Sequence, residues 1–156
     1  MSLSRDGKQI ILKASSDVDP GSIFIFDAET RKADFFWANR SWMDTSILRP
    51  MHVGEVPTQD GFSIPVRLTL PHGDRPAPLI VNPHGGPHGV FDEWAFNYET
   101  QLLASRGYAV LQINFRGSGG LGKKFEDAGH KEWGGQMIED IAAAVRWAMT
   151  HRGIDE

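Results

Sequence analysis

Two kinds of strand signal, each followed by turns or helical patterns, dominate the chain from residue 62 onward. Residues 62–70 alternate apolar and polar side chains, whereas residues 78–81 and 108–114 form short, mainly apolar runs. Alternation is typical of a strand with one buried face, and a continuous run is typical of a strand covered on both faces. Helical spacing of apolar residues follows each run. This order predicts an α/β domain that opens with strand, strand, strand, helix, strand, helix.

Residues 52–58 and 62–70 flank the turn Gln59-Asp60-Gly61 and predict a hairpin. Pro65 lacks a backbone N–H, so it favours an edge position for the second of these strands. In this α/β sheet, the strand at 108–114 is expected to keep one open neighbour position. An open strand edge would make the chain marginally stable or prone to associate.

Two helices are expected. The first would be capped by Asp92 and end near Gly107, with Phe91, Trp94, Ala95, Tyr98 and Leu102 on one face. The second would end at Gly153, with Ile138, Ile141, Val145 and Ala148 on one face. The polar, glycine-rich residues 116–135 between strand and helix are predicted to be loop.

Short strands are expected at 9–13, 22–26 and 33–38, separated by turns rich in Asp, Pro and Gly. A meander of three strands is too small to be stable alone. Residues 39–50 lose this periodicity and predict a linker, which Trp42 and Leu48 would hold against a neighbouring surface.

Composition limits the possible partners. The chain has 156 residues, 40% of them hydrophobic, and a net charge of −4 that is not concentrated in one block. These values predict a globular protein that binds neither nucleic acid nor a membrane, and they leave the oligomeric state open. With no cysteine there is no disulfide and no thiolate metal site. The compartment stays open, with the cytoplasm favoured.

Residues 82–89, Asn-Pro-His-Gly-Gly-Pro-His-Gly, follow the run 78–81 and should lie at the carboxyl end of a parallel strand, where open α/β sheets bind ligands. One hypothesis is an oxyanion hole in which Gly86 donates its N–H, with His84, Gly85 and Pro87 shaping the loop. The other is a simple strand-to-helix turn. His84 and His88 have a spacing that suits zinc on a helix, but Gly-Gly-Pro between them disfavours a helix. We therefore predict no metal, with His84 bonding nearby backbone.

Residues 117–122, Gly-Ser-Gly-Gly-Leu-Gly, satisfy the dinucleotide pattern G-x-G-x-x-G after a strand, but no apolar helix follows them. We predict no cofactor. Ser118 is not the serine of a G-x-S-x-G elbow, because Arg116 stands two positions before it. Arg116 could meet an anion, although an arginine after a strand is more often an anchor for the loop beneath it. We expect Arg116, Gly117 and Ser118 to support the site.

Several motifs occur together in a fixed order. They are S-R-D-G-K at 4–8, T-x-D-G-F at 58–62, L-T-L-P at 68–71, H-G-G-P at 84–87, N-F-R-G-S-G-G-L-G at 114–122 and W-G-G-Q-M-x-x-D at 133–140. In this combination the chain resembles the prolyl oligopeptidase family of serine peptidases, in particular its acylaminoacyl-peptidase and dipeptidyl-aminopeptidase-like branch.

The resemblance implies the N-terminal half of an α/β-hydrolase sheet at residues 50–156, preceded by an antiparallel meander at residues 1–49 from the last blade of a β-propeller and its linker. It also implies peptide or acyl-peptide hydrolysis through an acyl-enzyme, and it places Gly86 in the oxyanion hole.

The family's nucleophile serine, aspartate and histidine come later than any residue of this sequence. The chain is therefore expected to be a fragment of a serine-type peptidase, inactive by itself. A non-catalytic binding module and an esterase for small esters stay open as alternatives.

Overall fold

The computed structural model describes residues 2–151 and 153–155, which form two separate β-sheets with helices on the second. The first sheet is an antiparallel meander in the order β1-β2-β3-β4. Its strands are β1 (Ser2–Leu3), β2 (Gln9–Ser16), β3 (Asp19–Asp27) and β4 (Lys32–Ala38). The three predicted strands are confirmed, and the two-residue β1 adds a fourth that its length hid from any periodicity.

A connector with one 3₁₀ turn (Thr45–Ile47) joins the two sheets. Leu48 is buried in it, as predicted, but the prediction for Trp42 is wrong, since 78% of its surface is exposed. Arg49, next to Leu48, donates its N–H to the side-chain carbonyl of Gln101 at 2.8 Å. A backbone hydrogen bond to a distant side chain therefore fixes the connector where an aromatic anchor was expected.

The second sheet comprises β5 (Met51–Pro57), β6 (Ser63–Thr69), β7 (Leu79–Val81) and β8 (Ala109–Ile113), in the order β5-β6-β8-β7. β5 and β6 form the predicted hairpin, β8 runs antiparallel to β6, and β7 runs parallel to β8. The edge position predicted from Pro65 is wrong, because β6 lies between two strands. Pro65 is tolerated because it lies where the β6–β8 ladder ends and only its carbonyl bonds there, accepting from Asn114 N at 2.9 Å.

The expectation of an open position beside residues 108–114 is also wrong. The connection at residues 70–78 runs from β6 to β7 and leaves one strand position empty between them. β8 then fills that position. The open side therefore belongs to β7. There Ala77 forms a parallel bridge with Ile154, and hydrogen bonds of 3.0 Å and 2.9 Å join Ala77 to Gly153 and Asp155.

Helix α1 (Tyr98–Ser105) begins later than predicted. Its cap is Asn97, whose side chain accepts from Thr100 N at 3.0 Å, and the capping role predicted for Asp92 is wrong. The end near Gly107 is confirmed. The apolar positions that suggested the helix lie outward, with Tyr98 70% and Leu102 53% exposed, while the helix buries Thr100, Gln101 and Ala104.

Helix α3 (Gln136–Ala148) packs its buried residues Met137, Asp140, Ala144 and Ala148 toward the sheet. The predicted face is therefore shifted, and Ile138 is exposed. A five-residue helix, α2 (Lys123–Asp127), interrupts the segment predicted to be loop and buries Phe125. The main core lies between α3 and the sheet residues Ile64, Val66, Leu68, Leu111 and Ile113. Among the described residues, no helix combines the length and apolar character needed to cross a bilayer.

Candidate active site

The Asn-Pro-His-Gly-Gly-Pro-His-Gly segment at residues 82–89, here called the glycine loop, leaves the sheet at the carboxyl end of β7. Asn82 N donates to Leu111 O at 2.8 Å, which extends the β7–β8 pairing by one residue before the loop departs. The sequence predicted this place correctly. Parallel strands of an open α/β sheet present their ligand sites at this end.

The segment 114–120 after β8 lies beneath the glycine loop and is here called the supporting loop. Its residues from Asn114 to Gly119 are all buried. Gly119 N donates to Val90 O at 2.9 Å. A side chain at position 119 would place its Cβ 2.8 Å from the carbonyl carbon of Gly89, so only glycine permits this backbone contact.

Asn114 holds Asp92, three residues beyond the glycine loop, next to the sheet. Its side-chain oxygen accepts from Asp92 N at 2.7 Å, and its side-chain nitrogen donates to Asp92 O at 2.9 Å. Gln112 donates to the Asp92 carboxylate at 2.8 Å. Burial raises the pKa of Asp92, and the nearby His84 acts in the opposite direction. Asp92 therefore closes the glycine loop instead of capping α1.

His84 connects the two loops. Its Nδ1 lies 2.8 Å from Gly85 O, and its Nε2 lies 2.8 Å from the hydroxyl of Ser118. Its ring stacks on Phe115, with centroids 4.8 Å apart and planes inclined by 16°. Both ring nitrogens thus meet protein atoms, while His88 lies against His130 at 4.8 Å between ring centroids.

Ser118 is fully buried, and its hydroxyl donates to Phe115 O at 2.6 Å. Its backbone N–H donates to the same carbonyl at 3.0 Å. This placement puts the Ser118 side chain in the interior, under the glycine loop.

Arg116 is buried and paired with two carboxylates. Its guanidinium donates to Asp140 at 2.8 Å and 2.7 Å and to Asp60 at 2.6 Å and 3.2 Å. Its backbone N–H also donates to Asp140 at 3.0 Å. Hydrogen bonds to Asp140, and then to Asp60, raise the pKa of Arg116, and the hydrogen bond from Arg116 lowers the pKa of Asp60 to about 2. Of the two hypotheses for Arg116, this geometry favours the anchor.

A cavity with a volume of about 330 Å³ lies beside the glycine loop. Gly86 borders it, and most of its other walls are apolar: Pro83, Pro87, Phe115, Met137, Ile138, Ile141 and Trp133. Gly86 has φ +122°, and a Cβ there would lie 3.3 Å from Val90 Cγ2. In the described ranges 2–151 and 153–155, no protein acceptor takes the N–H of Gly86.

A larger cavity, with a volume of about 740 Å³, lies between the β5–β6 turn and α3. Arg116, Asp60 and Asp140 line it, but Arg116 is already paired with both carboxylates and leaves no cation free for a ligand. The smaller concavity is the stronger candidate, because it combines apolar walls with an unpaired main-chain donor.

Comparisons with known proteins agree with the fold and the motifs. Residues 94–156 match the sequence model of the prolyl oligopeptidase family. The chain is 35% identical over 153 residues to dipeptidyl aminopeptidase BIII of Pseudoxanthomonas mexicana, an alignment of 92% of this chain and 22% of that protein. It is 32% identical over 173 residues to dipeptidyl peptidase family member 6 of Caenorhabditis elegans, covering 96% of this chain and 23% of the relative.

The fold is similar to that of the Pyrococcus horikoshii acylaminoacyl peptidase, with a TM-score of 0.77 over 95% of this chain and 24% of the other. The sequence identity of that pair is 22%, so this likeness concerns the fold alone. The chain belongs to the prolyl oligopeptidase family, a family of serine peptidases, as its motifs predicted. It spans between a fifth and a quarter of the length of these two peptidase relatives.

Proposed function

We propose that the chain is a segment of a serine peptidase that cleaves peptide or acyl-peptide bonds through an acyl-enzyme, and that Gly86 N–H is a donor of its oxyanion hole. Residues 50–156 would be the first part of the α/β-hydrolase domain. The triad serine, aspartate and histidine would lie outside residues 1–156, which leaves this chain inactive by itself. The peptidase relatives and the share of their length that the chain spans support this proposal.

For residues 1–49 we propose the last blade of a β-propeller with its exit linker. The support is the four-stranded antiparallel order β1-β2-β3-β4, the form that propeller blades take. Neighbouring blades would cover the aromatic side chains that β4 exposes, Phe35, Phe36 and Trp37.

The observation that carries the catalytic proposal is the position of Gly86. It lies on a loop at the carboxyl end of a parallel strand and borders an apolar concavity, with its N–H available. A main-chain donor held at such a place stabilises the oxyanion of a tetrahedral intermediate without reorganising during the reaction.

The test removes the donor and keeps the backbone. Proline at position 86 would delete the N–H but cannot adopt φ +122°, so it would distort the loop as well. Replacing Gly86 with glycolate turns its amide into an ester, which removes the N–H without imposing the fixed φ of proline and weakens Gly85 O as an acceptor. In the full-length peptidase we expect kcat to fall on the order of a hundredfold with little change in KM.

The matched control is the same amide-to-ester change at Gly89, on the same loop. An unchanged kcat in the Gly86 ester would contradict the assignment. Comparing peptide with small-ester substrates on the same enzyme separates a peptidase from an esterase, and absence of hydrolysis of both would favour a binding module.

A further inference from the structure

We infer that Ser118 is a positioning residue: acting through His84, it sets the orientation of the Gly85–Gly86 peptide unit that presents the proposed oxyanion donor. The inference rests on the proposed function of Gly86. Ser118 itself stays buried and touches no substrate.

The first step concerns the peptide plane. The Gly85–Gly86 bond is trans, so Gly85 O and Gly86 N–H lie in one rigid plane and point in opposite directions within it. His84 Nδ1 lies 2.8 Å from Gly85 O. A carbonyl oxygen only accepts, so Nδ1 must carry a hydrogen. By holding Gly85 O, the imidazole therefore fixes the direction of the Gly86 N–H.

The second step concerns the hydrogen on Nδ1. A neutral imidazole carries one hydrogen, and the partner of one ring nitrogen decides where that hydrogen is. The Ser118 hydroxyl has one hydrogen and lies 2.8 Å from Nε2 and 2.6 Å from Phe115 O, so it can donate that hydrogen to either. When Ser118 donates to Nε2, the hydrogen of the neutral ring stays on Nδ1.

The serine hydroxyl also serves the charged ring. When both nitrogens carry hydrogens, Nε2–H donates to Ser118 Oγ, whose own hydrogen then turns to Phe115 O at 2.6 Å. Phe115 O accepts from Ser118 N at 3.0 Å in either case, so it is never left without a partner. A hydroxyl therefore holds Nδ1–H in both charge states of His84, which neither a pure donor nor a pure acceptor could do.

The surroundings favour this assignment. Ser118 is 0% exposed, so bulk water does not reach its hydroxyl. Phe115 stacks against the imidazole and limits its rotation. Asp92, on whose pKa the nearby His84 acts, is held in place by Asn114 and Gln112.

The experiment compares four forms of the full-length peptidase: wild type, Ser118→Ala, His84→Asn and the double variant. Asparagine can donate to Gly85 O from its amide but has no group at the Nε2 position. Without the serine hydroxyl, a neutral His84 can move its hydrogen to Nε2, whereas a protonated ring keeps it on Nδ1.

We therefore expect Ser118→Ala to lower kcat on the order of tenfold near pH 8, with KM little changed. In the His84→Asn background, Ser118→Ala should add no further loss of kcat, because the asparagine amide donates to Gly85 O without help from Ser118.

A loss of kcat that persists at the same size in the His84→Asn background would show a merely structural role and overturn the inference. The imidazole ¹⁵N shifts of histidine-labelled wild type and Ser118→Ala test the same point without turnover. Wild-type His84 should be protonated on Nδ1. A wild-type ring protonated only on Nε2 would overturn the positioning role of Ser118. If the Gly86 ester keeps its kcat while His84 shows the expected shifts, the oxyanion role of Gly86 fails. The action of Ser118 on the His84 ring would still stand.

Discussion

Arg116 uses its whole guanidinium and its backbone N–H on two carboxylates. Asp140 takes the side-chain Nε and one terminal nitrogen together with the main-chain donor, and Asp60 takes both terminal nitrogens. The Arg116 guanidinium also lies 4.9 Å above the Phe62 ring. The supporting loop is thereby fastened to α3 on one side and to the β5–β6 turn on the other.

Sequence alone could not choose between the two roles of Arg116, because its partners are 24 and 56 positions away. The same holds for the contact of His84 with Ser118, 34 positions apart. Local pattern placed the glycine loop correctly after β7, since strand periodicity and Gly-Pro content are local properties. The hydrogen bonds that define the loop's shape depend on the packing of distant segments, which local pattern does not contain.

Asp60 gives a prediction about pH. Its pKa is lowered to about 2 by the hydrogen bond from Arg116, so its contribution to stability is present above about pH 4 and is lost as pH falls through about 2. Asp60→Asn should therefore lower the free energy of unfolding at pH 7, with the difference shrinking across that interval. Because the Asp60 side chain is 44% exposed, screening limits the effect to about 1 kcal/mol.

Urea unfolding followed by tryptophan fluorescence, repeated from about pH 7 down to about pH 2, measures this difference. Asp74→Asn, the same change at an exposed position, is the matched control and should leave the free energy of unfolding nearly unchanged. A deficit of constant size across the whole pH range would show that the Asp60 charge does not contribute through Arg116.

At the scale of elements, α1 shows how a sound pattern can point to the wrong face. Helical spacing is present in the apolar set Phe91, Trp94, Tyr98 and Leu102. The helix includes only Tyr98 and Leu102, however, and all four side chains are exposed. Its buried Thr100 instead donates to Gln112 on β8 at 3.2 Å. A polar layer between helix and sheet has no hydrophobic period, so the sequence could predict that this helix exists and where it ends but not its buried face.

The N-cap of α1 is the second prediction at this scale. Asn97→Ala removes the acceptor for Thr100 N and should cost about 1 kcal/mol, with faster hydrogen exchange of the amides at 98–101. Hydrogen exchange read out by mass spectrometry reports this directly. Glu93→Ala, an exposed change just before the helix, is the control, and equal exchange in both variants would argue against the cap.

At the scale of the whole molecule, one buried glutamine joins the two sheets. Gln101 donates to Arg49 O at 2.7 Å and to Asp17 O at 3.1 Å, and it accepts from Arg49 N. The Asp17 carboxylate in turn accepts from Met51 N at 2.6 Å. The sequence predicted two units and a linker, but Asp17 and Gln101 are 84 positions apart, which put their contact beyond any local signal.

Exposed aromatic surface leads to the last prediction. β4 is an edge strand on which Phe35 and Phe36 are each 63% and Trp37 52% exposed, and Phe36 is the extra residue of a bulge. Surface of this kind on an open edge favours association. The isolated 156-residue chain should therefore self-associate as its concentration rises, and its unfolding should be broad.

Sedimentation velocity over a hundredfold range of concentration tests this prediction. Phe36→Lys should reduce association, because a charge at the bulge opposes pairing of β4 with another chain without removing the contact of Phe35 with Phe24. Thr30→Lys, on the exposed β3–β4 turn away from the aromatic surface, adds the same charge and should leave association unchanged. A chain that stays monomeric throughout and unfolds in one sharp transition would mean that its own packing suffices, and that the exposed aromatic surface needs no partner to be stable.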